Sequence, residues 1–358
     1  MNRRAPGPAI VVMGLLLLGL WPGAAGAVAA RRVVDCRRGK PVCWPTAFDL
    51  APRRKVFYVE RFTGHVRVYN RRTDRDRRWK RIRHVATAGE QGLLGLTLDD
   101  RWKRGRRFRW VYVYLTHDAP LQNRVMRYRK KRGGGFRRQI LARIPAAGNH
   151  NGGVLHIGPD GRLWAVTGDA GTRSNAQSFA NLAGKVLRMT KKGGLPDDNP
   201  VLGGSRRRIW SYGHRNSFGF TFDPETDDPW QTENGPTCND ELNHPGKGEN
   251  RGWGPNESCP NTNNSGPSPV GPEHLINPVT APTGAAFCNG CGLGVEGRLL
   301  YASFNDQDIR SATLSAGRDN VTGTAHLFQH VRPVLGLLRG GGGSIYFSDD
   351  RGIYRLDP

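Results

Sequence analysis

A histidine and an aspartate bracket one predicted β-hairpin near the middle of the chain. Two apolar runs, residues 154–157 and 163–166, flank the turn Gly158-Pro-Asp-Gly161, in which Pro presets φ and Gly allows a positive φ. His150 stands in the Gly- and Asn-rich loop before the first run, and Asp169 follows the second. Because an antiparallel hairpin returns its far end beside its start, the two side chains should lie close together. They are a candidate general base and its orienting group, although a structural His and an Asx turn fit the same pattern.

Two other pairs of polar residues have the composition of a binding site. Glu90 and Gln91 lie between glycines at the entrance of an apolar strand, where polar side chains line a mouth; a surface turn gives the same pattern. Arg215 and Asn216 also precede an apolar strand and lie between glycines. A guanidinium there could donate paired hydrogen bonds to carboxylate or quinone oxygens. A solvated loop arginine is the alternative.

An acidic turn follows at residues 233–241. Carboxylates, amides and backbone carbonyls are crowded in this segment. Such hard oxygen ligands suit calcium rather than a transition metal. Taken alone, the pattern is equally consistent with an acidic surface turn.

The elements that must position these residues are predicted to be strands. Short apolar and aromatic runs alternate with turns rich in Gly, Pro, Asn and Asp, and no long stretch has a helical period. An aromatic strand followed by a turn and a second strand recurs six times, roughly 45 to 70 residues apart. Its aromatic markers are Tyr58, Tyr112, Trp164, Trp230, Tyr301 and Tyr346. The repeat predicts an all-β protein, a six-bladed β-propeller over residues 30–358, with a β-sandwich as the alternative.

Both the N-terminus and the cysteines are typical of an exported protein. Two arginines, an apolar segment at residues 9–21 and a run of small residues predict a secretory signal over residues 1–29. We therefore expect a secreted or extracytoplasmic protein, with no transmembrane segment after the leader. The remaining six cysteines predict disulfides, and the simplest of the fifteen pairings joins neighbours in sequence. These pairs are Cys36 with Cys43, Cys238 with Cys259, and Cys288 with Cys291.

The chain carries a formal net charge of +24. Such a surface predicts weak, nonspecific contact with polyanions. The basic runs contain no nucleic-acid-binding signature, so no specific nucleic-acid partner is expected. Solvated loops of a very basic protein explain the same runs.

Taken together and in this order, the four motifs resemble the soluble pyrroloquinoline-quinone (PQQ)-dependent glucose and aldose sugar dehydrogenases, the glucose/sorbosone dehydrogenase family. The resemblance runs from about residue 56 to residue 356 and also implies a six-bladed propeller. It implies an enzyme with PQQ and calcium as cofactors, an aldose as substrate and an electron acceptor that the sequence does not identify.

The resemblance also assigns roles to single residues. His150 would be the general base toward the anomeric hydroxyl while hydride passes to the quinone, and Asp169 would orient its imidazole. Arg215 and Asn216 would contact the cofactor, and Arg215 would stabilise its quinone oxygens. Gln91 or Glu90 would contribute to the substrate mouth. The calcium-bearing loop would contain Gly235, Pro236, Asp240 and Glu241.

The sequence departs from the family in the region that grips the cofactor carboxylates. The family usually offers a Lys and a pair of Arg from its last two blades, whereas residues 303–308 contain no Lys. Of the pair of arginines, Arg332 remains and His330 takes the place of the other. In the calcium loop, Arg251 replaces a Tyr. These departures motivate an alternative function, a non-catalytic extracellular propeller that binds polyanionic or carbohydrate surface ligands. The enzyme hypothesis predicts that five residues converge at one mouth of the central channel: His150, Asp169, Arg215, Asn216 and Arg332.

Overall fold

The computed structural model describes residues 28–40, 42–103 and 109–358, and this part of the chain contains six four-stranded antiparallel sheets. The first strand, β1 (Ala29–Asp35), belongs to the last sheet. Blade 1 contains β2 (Phe48–Ala51), β3 (Lys55–Glu60), β4 (His65–Asn70) and β5 (Arg75–Arg81). Blade 2 contains β6 (Leu93–Leu98), β7 (Val111–Asp118), β8 (Leu121–Lys130) and β9 (Phe136–Ile144), with the short helix α1 (Asp100–Lys103) after β6.

The next two blades carry the longer insertions. Blade 3 contains β10 (Leu155–Ile157), β11 (Leu163–Val166), β12 (Lys185–Met189) and β15 (Ile209–Tyr212). Its loops hold helix α2 (Ser174–Gln177) and a two-stranded ribbon of β13 (Val201–Leu202) and β14 (Ser205–Arg206). Blade 4 contains β16 (Gly219–Phe222), β17 (Pro229–Glu233), β18 (Asp240–Asn243) and β19 (His274–Ile276).

The last two blades complete the ring. Blade 5 contains β20 (Pro282–Phe287), β21 (Leu299–Ser303), β22 (Asp308–Leu314) and β23 (Val321–Gln329). Blade 6 contains β24 (Gly336–Arg339), β25 (Ile345–Ser348) and β26 (Gly352–Asp357), joined by β1, and a 3-10 turn at Gly341–Gly343. The first strand of each blade packs against the first strands of both neighbours, from β2 round to β24 and back to β2. The predicted six-bladed propeller is confirmed.

The six aromatic markers explain why the blades stack. Each lies in the second strand of its sheet, and each is at most 5% exposed. A twisted sheet in a ring is covered on both faces, so its second strand reads as a continuous apolar run rather than an alternating one. The run from Val111 to Leu115 in β7, for example, is fully buried. The burial of the markers therefore accounts for the repeat that the sequence displays.

Glycines allow the innermost strands to approach one another near the axis. A Cβ atom on Gly95 of β6 would collide with the carbonyl oxygen of Gly153, just before β10. A Cβ atom on Gly284 of β20 would collide in the same way with the backbone of Leu337 in β24. Close approach of two backbones requires a residue without a side chain at these positions.

The N-terminal and C-terminal strands close the ring together. In blade 6, β1 pairs antiparallel with β26, from Ala29 opposite Asp357 to Asp35 opposite Gly352. The predicted leader lies outside the described residues, apart from residues 28 and 29. Among the described residues, the structure has no helix that is both long enough and apolar enough to cross a membrane.

The cysteine pairing and the central hairpin agree with the sequence. The three disulfides join Cys36 to Cys43, Cys238 to Cys259 and Cys288 to Cys291. Strands β10 and β11 form the predicted hairpin, in which Leu155 lies opposite Ala165. The turn between them brings the loop before β10 next to the loop after β11.

Candidate active site

One end of the propeller collects most of the polar residues that the sequence analysis identified. In a four-stranded antiparallel blade, the loop before the first strand and the loop after the second lie at the same end. Glu90, His150 and Arg215 precede the first strands of blades 2, 3 and 4, and Asp169 follows the second strand of blade 3. The topology therefore brings residues that are far apart in sequence to one mouth of the channel.

His150 and Asp169 form the pair that the hairpin predicts. Nδ1 of His150 lies 2.8 Å from Oδ1 of Asp169, whose side chain is completely buried. Because a carboxylate accepts hydrogen bonds, this contact places the proton of a neutral imidazole on Nδ1 and leaves the lone pair on Nε2. The His150 side chain is 14% exposed. The geometry suits a general base that acts through Nε2.

Two more donors hold the carboxylate of Asp169. The backbone N–H of Gly171 donates to Oδ1 at 2.8 Å, and the indole N–H of Trp253 donates to Oδ2 at 2.8 Å. Trp253 is buried and comes from the long loop after β18, in which Cys259 forms a disulfide with Cys238 just before β18. Trp253 was not predicted as a site residue. The only signal is a tryptophan in a Gly- and Asn-rich loop.

Glu90 and Asn216 fix the loop that carries His150. The carboxylate of Glu90 accepts the backbone N–H of His150 at 2.7 Å and the side-chain amide of Asn216 at 3.1 Å. The carbonyl oxygen of the Asn216 side chain accepts the N–H of Gly152 at 3.2 Å. His150 itself has a positive φ of 53°, a conformation that such anchoring maintains.

The amide of Gln91 has local partners. Its nitrogen donates to the carbonyl of Ala147 at 2.9 Å, and its oxygen accepts the N–H of Ala88 at 3.3 Å. Gln91 is buried, whereas Glu90 lines the central channel. Of the two residues expected at the substrate mouth, Glu90 is the one that borders open space.

Arg215 lies beside the His150–Asp169 pair, and only part of its guanidinium is hydrogen-bonded to the described residues. Its Nη1 donates to the carbonyl of Asn234 at 2.8 Å, and its guanidinium carbon lies 5.3 Å from the centroid of the Trp253 ring. Its Nε is buried and has no hydrogen-bond partner among the described residues. Burial lowers the pKa of Arg215, and nearby carboxylates, led by Asp169 and Glu233, oppose that shift. A buried guanidinium with an unpaired N–H fits an anionic or quinone oxygen in this position.

A second buried histidine supports the backbone of Arg215. His214 contacts the carboxylate of Glu233 through Nδ1 at 2.9 Å and the hydroxyl of Ser211 through Nε2 at 2.8 Å. The same carboxylate accepts the backbone N–H of Arg215. Glu233 therefore positions Arg215 from inside the protein. Glu233 belongs to the predicted acidic turn but was not assigned this role, and His214 was not predicted as a site residue.

Asp240 ties three backbone segments together. Its carboxylate accepts the N–H groups of Gly235, Thr280 and Ala281 at 2.8, 2.7 and 2.8 Å. Burial raises the pKa of Asp240. The carbonyls of Gly235 and Pro236 accept no hydrogen bond from the described residues. These carbonyls are two of the hard oxygens of this loop that no donor of the described residues engages.

Glu241 is enclosed in a polar network. Its carboxylate accepts the side-chain amides of Asn243, at 2.8 Å, and of Asn263. Burial and the neighbouring Glu233 raise the pKa of Glu241 to about 8. Arg251 is also buried and forms an ion pair with Glu273 at 2.8 Å. Its guanidinium supplies a positive charge to this acidic region.

The His, Cys, Asp and Glu side chains of the described residues form one group of three potential metal ligands. It consists of Cys288, Cys291 and Glu296, and both cysteines are in a disulfide. The acidic turn therefore offers a metal ion backbone carbonyls rather than a cluster of carboxylates.

His330 and Arg332 lie at the same end of the molecule, in the loop before β24. Nε2 of His330 lies 3.0 Å from Asp349, and Arg332 donates to both oxygens of Asp350 at 2.9 and 2.8 Å. No hydrogen bond of the described residues joins either one to the His150 group. Convergence is thus direct for His150, Asp169, Arg215 and Asn216, whereas Arg332 shares the end of the channel without contacting them.

The central channel has a cavity volume of about 410 Å³. Its wall is mostly apolar, and Arg61, Glu90 and Asn234 contribute polar groups. Arg61 was not identified from the sequence. Its Nε donates to the carbonyl of Gln91 at 3.1 Å, its guanidinium carbon lies 4.7 Å from the Phe62 ring centroid, and burial lowers its pKa. His150 lies beside this cavity rather than in its wall, and Glu90 connects the two.

Lys185 holds the segment that covers Asp169. It is fully buried, and its Nζ donates to the carbonyls of Asn175, Ala176 and Ala183 at 2.7, 2.9 and 2.7 Å. In turn, the amide of Asn175 donates to the carbonyl of Asp169 at 2.9 Å. Burial lowers the pKa of Lys185 from 10.5 to about 7, although Asp169 opposes the shift.

This pKa predicts a pH dependence of stability. Between about pH 7 and 10.5 the unfolded chain binds a proton that the folded chain has released, so the contribution of Lys185 to stability rises with pH. The free energy of unfolding of the wild type minus that of Lys185→Met should therefore rise by up to about 1.4 kcal/mol per pH unit. Urea unfolding at pH 7.5, 8.5 and 9.5 measures it, with the exposed Lys192→Met as control. A difference that is constant with pH would mean that the three carbonyls keep the ammonium protonated.

Comparison with known proteins shows the family. The profile of the Glucose / Sorbosone dehydrogenase family matches residues 43–355. The chain is 41% identical over 173 residues to aldose sugar dehydrogenase YliI of Escherichia coli, which covers 46% of each chain. It is 27% identical over 243 residues to quinoprotein glucose dehydrogenase B of Acinetobacter calcoaceticus, which covers 58% of this chain and 50% of the relative. The matches therefore span about half the length of these two relatives.

Solved structures share the fold over nearly the whole chain. A Thermus thermophilus oxidoreductase (glucose dehydrogenase) superimposes with a TM-score of 0.78 and 29% identity, over 92% of this chain and all of that one. The PQQ-bound aldose sugar dehydrogenase of Streptomyces coelicolor superimposes with a TM-score of 0.73 and 23% identity, over 92% and 98%. The extent of the profile match, together with the shared propeller, establishes that the chain belongs to the glucose/sorbosone dehydrogenase family.

Proposed function

We propose that the protein is a PQQ-dependent dehydrogenase that oxidises the anomeric hydroxyl of an aldose. The observation that carries this proposal is the His150–Asp169 pair, which lies beside the buried and partly unpaired guanidinium of Arg215. When bound, PQQ supplies the two-electron acceptor for the hydride. The names of the relatives support the same chemistry, since they include an aldose sugar dehydrogenase and a quinoprotein glucose dehydrogenase.

The residues of this chain have distinct roles in the proposed reaction. Nε2 of His150 takes the proton of the sugar hydroxyl, and Asp169 holds the imidazole through Nδ1 and balances the charge that develops on it. Arg215 directs N–H donors at quinone oxygens, where a donor fixed in a buried site is most effective. Glu90 keeps the His150 loop in place and faces the channel from which a sugar approaches.

The residues present fit both cofactors in part. Arg215 and Asn216 fit PQQ, and His330 and Arg332 would hold its carboxylates while sharing their donors with Asp349 and Asp350. The free carbonyls of Gly235 and Pro236 fit calcium, an ion that prefers oxygen ligands. We assign Asp240 and Glu241 to the same loop as its supports, because backbone N–H groups and side-chain amides already engage their oxygens.

The site of action is proposed to be outside the cytoplasm. The predicted leader of residues 1–29 and the three disulfides support this assignment. An acceptor in the same compartment would be required for the two electrons taken from the sugar.

Titration of the purified protein with PQQ tests the proposal. With millimolar calcium we expect saturable quenching of tryptophan fluorescence and dye-linked oxidation of aldoses. Prior chelation of calcium should weaken PQQ binding at least about 10-fold, because the loss of one strong charge interaction costs more than about 1.4 kcal/mol. Arg215→Lys, which keeps the charge but loses the planar fork, should also bind PQQ more weakly. Absence of both binding and oxidation in calcium-loaded protein would refute the assignment.

A non-catalytic binding module is the second candidate. It is supported by the contacts that engage His330 with Asp349 and Arg332 with Asp350, and by the net charge of +24. It predicts that calcium-loaded protein neither binds PQQ nor oxidises aldoses in the dye-linked assay. It also predicts that the protein is retained on an anionic matrix at physiological ionic strength. The PQQ titration therefore separates the two functions.

A further inference from the structure

A second cavity lies between the outer strands of blades 1 and 2. It has a volume of about 510 Å³ and shares no lining residue with the central channel. Lys80 lines it from blade 1, and Arg124 and Arg138 line it from blade 2. Below them, the ring of Trp79 packs edge-on against Phe136 across the blade boundary, with centroids 4.8 Å apart. We call this feature the inter-blade cleft.

The segments around the inter-blade cleft have a large excess of positive charge. Residues 75–83 contain six Arg or Lys and one Asp, and residues 124–143 contain nine Arg or Lys and no Asp or Glu. Both segments lie mainly in strands whose partners fix their spacing, β5 in one blade and β8 with β9 in the other. The charges are thus arrayed on a rigid surface and not on a free tail.

The protein itself does little to neutralise these cations. In the part of the chain that the structure describes, Lys80, Arg124 and Arg138 form no ion pair with a carboxylate. Asp118 lies 3.3 Å from His84, and its charge opposes the lowering of the pKa of Arg124. Burial and then the proximity of Arg138 lower the pKa of Lys80, and burial and then Arg143 lower that of Arg124. Folding therefore holds like charges together at a cost that a bound anion would relieve.

We propose that the inter-blade cleft binds a linear polymer of phosphate groups. Arg124 and Arg138 can each present a planar pair of donors to phosphate oxygens, and Lys80 adds a compact charge from the other blade. The arrayed cations on both sides of the cleft would contact successive phosphates of an extended chain. This site is separate from the channel mouth, so its occupation does not depend on the proposed dehydrogenase activity.

Binding of fluorescently labelled inorganic polyphosphate, measured by anisotropy at several salt concentrations, tests the proposal. The variant that combines Lys80→Gln, Arg124→Gln and Arg138→Gln should bind about 100-fold more weakly at low salt, and its log–log salt slope should be shallower by about 2. The control combines Lys40→Gln, Lys192→Gln and Lys247→Gln, three exposed lysines elsewhere that give the same change in net charge. Its affinity should change less than about threefold, because distant surface charges are screened.

Each alternative gives a different result. Equal weakening in both triple variants would show that polyphosphate responds to the overall charge, and would overturn the site. Equally tight binding of polygalacturonate would show that the cleft does not select phosphate. Binding to anionic phosphatidylglycerol vesicles without binding to soluble polyphosphate would assign the surface to a membrane instead. Circular dichroism of the two triple variants checks that both are folded.

Discussion

Replacement of His150 by glutamine should lower kcat for aldose oxidation by about 10²–10⁴-fold, the usual contribution of a positioned general base. Glutamine retains a polar side chain of similar length but cannot take a proton at Nε2. The backbone N–H of His150 would still donate to Glu90, so the loop should keep its place. Steady-state kinetics with a dye acceptor measures the loss, and PQQ titration of the same variant should give an unchanged Kd.

The matched control is His326→Gln, which changes an exposed histidine on the outer strand of blade 5. Its kcat should equal that of the wild type. Full activity in His150→Gln would remove the residue from the mechanism. Loss of PQQ binding in that variant would instead place His150 in the cofactor site.

Replacement of Asp169 by asparagine should be at least as damaging, with kcat lowered by about 10³–10⁴-fold as for the orienting aspartate of other His-based sites. Asp169 accepts hydrogen bonds from His150, Gly171 and Trp253, so all three contacts require an acceptor. An amide has one acceptor oxygen and one NH₂ group, and the NH₂ group must face a donor in any orientation. If it faces His150, the imidazole is forced into the tautomer whose Nε2 carries the proton.

Trp253→Phe separates orientation from simple packing. It keeps an aromatic ring against Arg215 but removes the one N–H that reaches Oδ2 of Asp169, so we expect a loss in kcat of about 10-fold, equivalent to one hydrogen bond to a carboxylate. Thermal unfolding of both variants shows whether the losses arise from misfolding. A shift in the pH–rate profile of Asp169→Asn, but not of an equally destabilised core variant, identifies the effect as one on the base. Wild-type kinetics in Asp169→Asn would contradict the role.

The sequence was sufficient for those parts of the site that depend on local geometry. A hairpin places the loop before its first strand next to the loop after its second, so the pairing of His150 with Asp169 could be predicted from the sequence alone. The six buried aromatics could be recognised because a second strand covered on both faces must be apolar along its length. In both cases a short-range rule determines the arrangement.

Other contacts depend on where distant loops meet, and no local pattern reports that. Trp253 reaches Asp169 from a loop 84 residues further along the chain. Asp240 accepts hydrogen bonds from the N–H groups of Thr280 and Ala281, about 40 residues further along the chain, and so links two loops. Lys185 reads as an ordinary strand-end lysine until three carbonyls are seen to converge on it. These are tertiary contacts, and each required the assembled ring.

The pairing of β1 with β26 has a consequence for the order in which the molecule can assemble. Ala29 and Asp357 lie opposite each other, so the ring joins the beginning of the described chain to its end. A growing polypeptide can complete blades 1 to 5 as it emerges, whereas blade 6 is complete only after β26 has been synthesised and has paired with β1. Closing so long a loop has an entropic cost, and this cost is offset only when the contacts of the complete ring have formed. Blades 2, 3 and 4, which carry Glu90, the His150–Asp169 pair and Arg215, can therefore form before β26 pairs with β1 and closes the ring.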